Sequence, residues 1–297
     1  MKKKSAKYLY KERHRERGKI GKMKTFKEII DGFFEDRKIE YYRVVDYSVL
    51  NEINPSLTAR SGLTPKSAII FLIPYFVSHP KNLSTYAASH DYHIYIKETA
   101  DALINELSFA FPEYKFVGYG DHSPIDERHA ALISGLGILG KNELLINERY
   151  GSYVFIADIL TDMPKELLPT ASVSEIKKCI GCNKCLAVCP TGILRSESEN
   201  CLSAITQRKG DLTEDEVEMM RKCDTVWGCD LCQRVCPYNK DVEITPIDFF
   251  HKDRVLELTA DYVNSLSDEE FKKRAFAWRG RKTVLRNLEL TSKLKKL

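Results

Sequence analysis

Two runs of closely spaced cysteines in the second half of the chain have the spacing of iron–sulfur ligands. The run at residues 179–190 reads C-x2-C-x2-C-x3-C-P, and the run at residues 229–237 reads C-x2-C-x3-C-P. In bacterial ferredoxins, the first three cysteines of such a run hold one [4Fe–4S] cluster and the cysteine before proline holds the other. Iron–sulfur clusters select soft thiolate ligands, and two-residue gaps let successive thiolates converge. The sequence therefore predicts two [4Fe–4S] clusters with exchanged last ligands.

This exchange assigns all but one of the ligands. The predicted ligands of cluster 1 are Cys179, Cys182, Cys185 and Cys236, and those of cluster 2 are Cys189, Cys229, Cys232 and one further cysteine. Cys201 follows the first run by a short connection and could fold back onto the cluster. Cys223 lies in a segment with the pattern of a helix end. We expect Cys201 to be the ligand and Cys223 to be a buried free thiol, which is a common state of cysteine.

Disulfides and structural zinc fit the cysteine pattern less well than clusters do. Nine cysteines leave one unpaired and no signal-peptide pattern begins the sequence, so disulfides are not expected. Structural zinc commonly uses two C-x2-C pairs but has no use for the longer run. No apolar stretch approaches the ~20 residues of a membrane span. Oxygen-sensitive clusters and free thiols predict a cytoplasmic protein, in a reducing compartment, without a membrane segment.

Charge is distributed unevenly along the chain. Residues 1–24 contain eleven Lys or Arg against two Glu, a net charge of +9, whereas the whole chain has a formal net charge of +4. The remaining residues therefore carry −5. We expect residues 1–24 to form a solvated, flexible basic arm. The alternative, compatible with the first, is that the arm binds a polyanion such as RNA.

Helix and strand patterns alternate ahead of the cysteines. The predicted elements are a helix with an apolar stripe from Phe26 to Phe34, an irregular segment at 51–66, a buried strand at 68–76, a helix at 92–111, a strand at 115–120, a short helix at 126–134 and strands at 144–146 and 153–160. This order predicts an α+β or α/β fold. The predicted domains are the arm at 1–24, an α/β domain at 25–165, a ferredoxin-like two-cluster domain at 170–245 and a C-terminal helical segment at 246–297.

Residues 135–140 match the G-x-G-x-x-G of dinucleotide-binding folds, but their context differs. That fingerprint follows a strand and opens a helix. Here a predicted helix precedes it and a predicted strand follows, so we expect no nicotinamide site. The glycines instead indicate backbone that approaches a bulky group or makes tight turns with positive φ.

Several further motifs resemble those of the epoxyqueuosine reductases and occur in the same order. They lie at 91–93 (D-Y-H), 121–128 (D-x2-P-x2-E-R), 135–142 (G-L-G-I-L-G-K-N), 151–152 (G-S), 161–162 (T-D), 229–233 (C-D-L-C-Q), 236–239 (C-P-Y-N) and 279–287 (R-x6-R-N). The resemblance covers roughly residues 65 to 290. It implies a cobalamin-dependent enzyme that carries out the last step of queuosine synthesis in tRNA. It also implies that one cysteine between the two runs is a ligand of cluster 2, and Cys201 is the residue that matches the family spacing.

The resemblance implies a corrinoid site in the α/β domain, over the nearer cluster. The implied contacts are Tyr92, His93, Asp121, Gly135, Gly137, Gly140, Lys141, Asn142 and Ser152. Glycines suit this place because a flat macrocycle needs bare backbone beside it. Asp121 is the implied general acid, which protonates the departing alkoxide. For that role we expect burial to raise the pKa of Asp121.

The implied function is reduction of epoxyqueuosine to queuosine in tRNA. Electrons would come from a low-potential ferredoxin or flavodoxin and pass through both clusters to cobalt. We expect a monomer. Two alternatives are a related cobalamin reductase with another substrate, such as a reductive dehalogenase, and an electron-transfer ferredoxin without corrinoid. Corrinoid content separates the last alternative from both enzymes, and activity on epoxyqueuosine tRNA separates the two enzymes.

Overall fold

The structure is a computed structural model that describes residues 24–195 and 200–292 of the chain. The predicted basic arm lies outside the described residues except for Lys24. Helices and strands of the first half are α1 (Phe26–Asp36), β1 (Tyr42–Asp46), α2 (Pro55–Ser61), β2 (Ser67–Pro74), α3 (Tyr92–Ala110), β3 (Phe116–Gly120), α4 (Glu127–Ile133), β4 (Ile138–Leu139), β5 (Leu145–Ile146) and β6 (Val154–Thr161). Those of the second half are α5 (Lys184–Val188), α6 (Leu202–Gln207), α7 (Glu214–Lys222), α8 (Leu231–Arg234), α9 (Ala260–Ser265), α10 (Asp268–Lys272) and α11 (Arg281–Ser292).

Helix α1 forms for the local reasons that its sequence indicates. The Thr25 side chain accepts a hydrogen bond from the Glu28 backbone, and the Glu28 side chain accepts one from the Thr25 backbone at 2.7 Å. This capping box satisfies amide groups that the first helical turn leaves free. The residues of the apolar stripe are all buried: Phe26, Ile29, Ile30, Phe33 and Phe34. The predicted helix and its inward face are therefore confirmed.

A four-stranded sheet with the order β1-β2-β6-β3 forms the centre of the first half. Each pair of neighbours is antiparallel, and β2 pairs with β6 from Ser67↔Thr161 to Pro74↔Val154. Every residue of β2 is buried because apolar clusters cover both faces of the sheet. One cluster contains α1 and α3, and the other contains α4. Of the two predicted classes, antiparallel pairing with helices packed on a sheet is the α+β arrangement.

Two glycines of β3 let α3 pack closely on the sheet. A Cβ added at Gly118 would lie 2.8 Å from the Ala100 Cβ, and one added at Gly120 would lie 2.6 Å from a methyl carbon of Ile96. Real carbon contacts of this kind lie at about 3.5–4.0 Å. The glycines therefore bring the start of α3 close to the end of β3, where the candidate active site lies.

Ahead of the cysteines, the predictions missed three elements. Strand β1 was not predicted, β4 lies inside the glycine-rich motif, and α2 lies in the segment predicted to be irregular. Helix α2 has a visible signal, since Pro55 is at its start and Gly62, with φ of 63°, follows its end. Proline at the start and glycine past the end are typical helix boundaries.

The second half of the chain shares apolar clusters with the first half. Trp227, beside the second cysteine run, is fully buried with Leu83 of the first half and with Phe276 before α11. Ile247 and Phe250 pack into the cluster that contains α1 and α3. The apolar core thus crosses the predicted domain limits, which stay predictions. Within the described residues, no helix has the length and apolarity needed to cross a membrane.

Candidate functional site

Cysteine side chains line two neighbouring cavities, four in each. The cluster-1 cavity is lined by Cys179, Cys182, Cys185 and Cys236. The cluster-2 cavity, about 600 Å³, is lined by Cys189, Cys201, Cys229 and Cys232. Each set mixes the two runs in the way that ferredoxin-type exchange requires. Within the described residues, no three His, Cys, Asp or Glu side chains lie close enough together to hold a single metal ion.

Cys201 and Cys223 occupy different places. Cys201 directly precedes α6 and borders the cluster-2 cavity. Cys223 directly follows α7 and borders a separate, small cavity, which Cys229 also borders. Burial, and then the nearby Cys189, raise the pKa of the Cys223 thiol. The structure thus places Cys201 with the other three predicted ligands of cluster 2, and ligation itself stays a prediction.

Lys141 and Asn142 form the wall between the two thiol-lined cavities, because both residues border both of them. The Lys141 ammonium donates a hydrogen bond to the Asn183 side chain, within the first cysteine run, at 2.6 Å. Asn142 is 7% exposed, and its side-chain nitrogen is buried without a hydrogen-bond partner. Buried donors are normally paired. A donor that faces two thiol-lined cavities fits iron–sulfur clusters, whose sulfur atoms accept hydrogen bonds.

Ser152 connects the sheet to the second cysteine run. Its hydroxyl oxygen accepts hydrogen bonds from the side-chain amides of Gln233 at 3.1 Å and Asn239 at 2.8 Å. Its backbone N–H donates to the Asn239 side chain at 2.8 Å, and its carbonyl accepts from Gln233 at 3.0 Å. All three residues are buried. This network, here called the Ser152 junction, fixes the second run against the sheet.

Asp121 lies at the end of β3, where it meets the start of α3. Its carboxylate accepts a hydrogen bond from the Tyr92 hydroxyl at 2.8 Å and lies 3.3 Å from the His93 Nε2. The other ring nitrogen of His93 is 2.7 Å from an Asp91 carboxylate oxygen. Tyr92 is held by stacking on Phe155, with ring centroids 4.0 Å apart. Two neighbouring helix residues therefore hold one carboxylate in place.

The protonation states of this group differ from expectation. The hydrogen bond from His93, with help from Tyr92, holds the pKa of Asp121 below its usual value despite partial burial. Hydrogen bonds with Asp121 and Asp91 raise the pKa of His93 to about 9. The prediction that burial raises the pKa of Asp121 is wrong for this structure, because the cationic ring outweighs desolvation. At neutral pH the pair is an imidazolium beside a carboxylate.

Three cavities adjoin one another around these residues. The central cavity, about 560 Å³, shares Glu143 and Leu144 with the cluster-2 cavity. The outer cavity, about 320 Å³, shares Tyr92 and Asp121 with the central cavity. Ligand cavities commonly measure roughly 300–1,000 Å³. The adjoining spaces therefore form a candidate ligand site between the cluster-2 thiols and Asp121.

The predicted corrinoid contacts separate into two groups. Tyr92, His93, Asp121 and Ser152 border the central or outer cavity, while Lys141 and Asn142 border the cluster cavities. Close packing explains why glycine occupies positions 137 and 140. A Cβ at Gly137 would lie 2.6 Å from the Ile146 carbonyl oxygen, and one at Gly140 would overlap the Asn142 side chain. Gly135 has a φ of 75° and borders none of these cavities. Contact between the glycines and a corrinoid stays a prediction.

Comparisons with known proteins agree with this geometry. Residues 178–239 match the family described as a 4Fe-4S double cluster binding domain. Epoxyqueuosine reductase of Listeria monocytogenes is 32% identical over 212 residues, covering 66% of this chain and 53% of that protein. Epoxyqueuosine reductase of Gloeobacter violaceus is 34% identical over 202 residues, covering 64% of this chain and 61% of that protein. The chain thus spans between half and two thirds of these curated relatives.

Solved structures share the fold. Epoxyqueuosine reductase of Streptococcus thermophilus superposes with a TM-score of 0.72 at 21% identity, covering 90% of this chain and 80% of that one. A crystal structure of epoxyqueuosine reductase with an epoxyqueuosine-modified tRNA-Tyr stem loop gives a TM-score of 0.67 at 22% identity, covering 89% and 80%.

The two thiol-lined cavities and the matched domain define an iron–sulfur protein of the double-cluster type, joined to an α+β domain. Within that class, the resemblance to the epoxyqueuosine reductase family is confirmed by sequence and by fold.

Sequence patterns alone missed several residues of the site. Glu127 was assigned only to the beginning of a helix, yet it borders the central cavity. Asp158 lies on β6 beside Glu127 and received no role. A buried acid in the middle of an apolar strand, in the stretch V-F-I-A-D-I-L, was the one available signal.

Proposed function

We propose that this protein is a cobalamin-dependent iron–sulfur reductase that converts epoxyqueuosine to queuosine in tRNA. One observation carries the proposal: the cavity with the cluster-2 thiols adjoins the cavity that Asp121 borders, so an electron path and a proton donor meet. The names of the relatives support the reaction, and the relative solved with an epoxyqueuosine-modified stem loop supports tRNA as the substrate.

The residues around the adjoining cavities fit the cofactors. The eight cysteines of the two cavities would hold two [4Fe–4S] clusters, and Tyr92, Asp121 and Ser152 would border a corrinoid. Clusters transfer single electrons, and cobalamin when bound lets two reducing equivalents act on carbon. The hydrogen bonds of the Ser152 junction would hold the second cysteine run at a fixed position beside the central cavity.

Proton supply is the contribution of the chain's own side chains. Conversion of an epoxide to an alkene consumes two electrons and two protons and releases water. The first proton goes to the ring oxygen as its carbon–oxygen bond breaks. Asp121 is our proposed donor, and His93, 3.3 Å away and protonated at neutral pH, supplies its proton. Tyr92 holds the receiving carboxylate oxygen in line.

We further propose where the partners bind. Cys182 and Ile180 are exposed beside the cluster-1 cavity, and Ile180 is 71% exposed. A low-potential ferredoxin or flavodoxin would deliver electrons there. Transfer RNA would approach the outer cavity, which Asp121 borders. We propose a monomer in the cytoplasm, with the basic arm of residues 1–24 adding attraction for RNA.

Replacement of Asp121 tests the proposal. Asp121→Asn keeps the shape of the side chain and removes the carboxylate that receives a proton from His93 and passes it on. We expect single-turnover reduction of epoxyqueuosine tRNA to slow by ~10²–10⁴-fold, the usual contribution of a general acid. Asp101→Asn, on the exposed side of α3, is the matched control and should leave the rate unchanged. Equal rates in both variants, at equal iron and corrinoid content, would show that Asp121 donates no proton.

A further inference from the structure

Two carboxylic acids lie together under the central cavity, apart from the Asp121–His93 pair. Asp158 is completely buried in β6, where its carboxyl group faces the side chain of Glu127. Glu127 is the first residue of α4, and its side chain lies beside Asp158 and also borders the central cavity. Ser123 is the other polar neighbour of Asp158. The structure therefore contains a fully buried acid beside a partly buried acid that opens to the cavity.

The groups that face this pair offer no compensating cation among the described residues. Facing Asp158 are the hydroxyls of Tyr47 and Tyr119, and facing Glu127 is the Asp121 carboxylate. Arg128, the next residue of α4, turns to Glu143 instead and donates to its carbonyl at 2.5 Å. Burial raises the pKa of both acids, and Asp158 raises that of Glu127 further. When two adjacent carboxyl groups share a site and one is fully buried, ionising both is strongly disfavoured, so the pair retains a proton at neutral pH.

Glu127 also contacts the loop that carries Asp121. Its carboxyl oxygen accepts the Asp121 backbone N–H at 3.2 Å, and Asp121 has a left-handed φ of 64°. One side chain therefore touches the buried acid, the cavity and the loop that carries the first proton donor. A group in this position can give the proton that it shares with Asp158 to a species in the cavity, and it can regain one from solvent through the same cavity.

The overall reaction needs such a group, because one donor accounts for only one of the two protons. After the ring opens, the former epoxide oxygen is a hydroxyl group. It must leave as water while the alkene forms, since hydroxide is a poor leaving group. We propose that Glu127, with Asp158 as its proton-sharing partner, supplies the second proton of the reduction and releases the oxygen as water. This inference rests on the proposed function.

Infrared spectroscopy tests the proton-holding pair independently of turnover. The anaerobic, cofactor-loaded protein should show a protonated-carboxyl band at pH 7 that shifts in Glu127→Gln and in Asp158→Asn and disappears when both substitutions are combined. The band should remain in Asp121→Asn, because the Asp121 carboxyl group is already ionised in the unmodified protein and does not contribute to the band. Absence of the band in the unmodified protein would overturn the inference, even if the protein reduces epoxyqueuosine tRNA.

Kinetics test the assignment of the second proton. Glu127→Gln keeps an acceptor for the Asp121 N–H but cannot donate an acid proton, so single-turnover alkene formation should slow by ~10²–10⁴-fold. Glu127→Asp should recover part of the rate, because it keeps the acid. If Glu127→Gln folds, holds its clusters and forms the alkene at the unmodified rate, the inference is wrong. If the unmodified protein forms no alkene but shows the band, the proposed function has failed while the buried acid pair stands.

Discussion

Replacing Ser152 with alanine separates two roles that this residue could have. The resemblance implies a corrinoid contact, whereas the structure places the hydroxyl at the centre of the Ser152 junction. In Ser152→Ala, the amides of Gln233 and Asn239 each lose one acceptor. Each keeps another, since Gln233 still donates to the Ser152 carbonyl and Asn239 to the Gln233 carbonyl. Neither donor is left without a partner.

The expected loss follows from these two hydrogen bonds. A buried hydrogen bond contributes about 0.5–1.5 kcal/mol net, so two contribute about 1–3 kcal/mol. For a protein of this size, 1 kcal/mol shifts the melting temperature by roughly 2–4 °C. We therefore expect Ser152→Ala to melt roughly 2–12 °C below the unmodified protein. Corrinoid affinity should change less than stability, because the hydroxyl is already used inside the protein.

The assay is an anaerobic thermal melt of the cluster-loaded protein at a fixed scan rate, paired with corrinoid titration. Ser174→Ala is the control, since Ser174 is exposed and its hydroxyl makes a long, 3.4 Å hydrogen bond to the Ile133 carbonyl, whereas the backbone bond of Ser174 is kept in the variant. Substitutions of that kind stay within about 0.5 kcal/mol. If Ser152→Ala melts at the same temperature as the control but binds corrinoid more weakly, the stabilising role of the Ser152 junction is refuted and a corrinoid contact is favoured.

Four further predictions address the clusters, the active-site pair and the arm. Cys201→Ser should reduce iron from about eight to about four atoms per chain, since it removes a ligand of one of the two cubanes. Cys223→Ser should keep all of the iron. The reverse result would show that Cys223, not Cys201, is the ligand. Asn142→Leu removes a hydrogen-bond donor that would face cluster sulfur, and it should lower the midpoint potential of a cluster in an EPR titration by tens of millivolts. The conversion is that ~1 kcal/mol corresponds to about 40 mV for one electron. An unchanged potential would show that Asn142 donates no N–H···S bond. Because the pKa of His93 is raised to about 9, its ion pair with Asp121 should stabilise the fold fully below about pH 6.5. This stabilisation should be lost as the pH rises to about 9, and thermal melts of His93→Gln should lack that pH dependence. Deleting residues 1–22 should weaken tRNA binding and flatten its salt dependence, and an unchanged salt slope would exclude the arm from binding.

The sequence predicted those parts of the molecule that local patterns determine. Cysteine spacing separated two ligand sets that the structure places around two cavities, although Cys189 and Cys229 lie far apart in sequence. The capping box and apolar stripe predicted α1, and a fully apolar run predicted β2. These signals need no knowledge of distant neighbours.

The features that were not predicted from the sequence depend on contacts between segments that are distant in the chain. The Ser152 junction joins residues 87 apart, Ser152 and Asn239, and no local pattern pairs them. The direction of the pKa of Asp121 was mispredicted, because the ring of His93 reaches it from the start of another helix. The burial of Asp158 beside Glu127 likewise appears only when β6 and α4 pack together.

One chemical measurement decides whether the proposed reaction takes place. The protein is reconstituted anaerobically with iron, sulfide and cobalamin, supplied with a low-potential reductant and incubated with tRNA that contains epoxyqueuosine. Mass spectrometry of the digested nucleosides should show loss of one oxygen atom and appearance of queuosine, dependent on cobalamin. Unchanged epoxyqueuosine, in a protein that has bound about eight iron atoms and one corrinoid, would show that the proposed function is wrong.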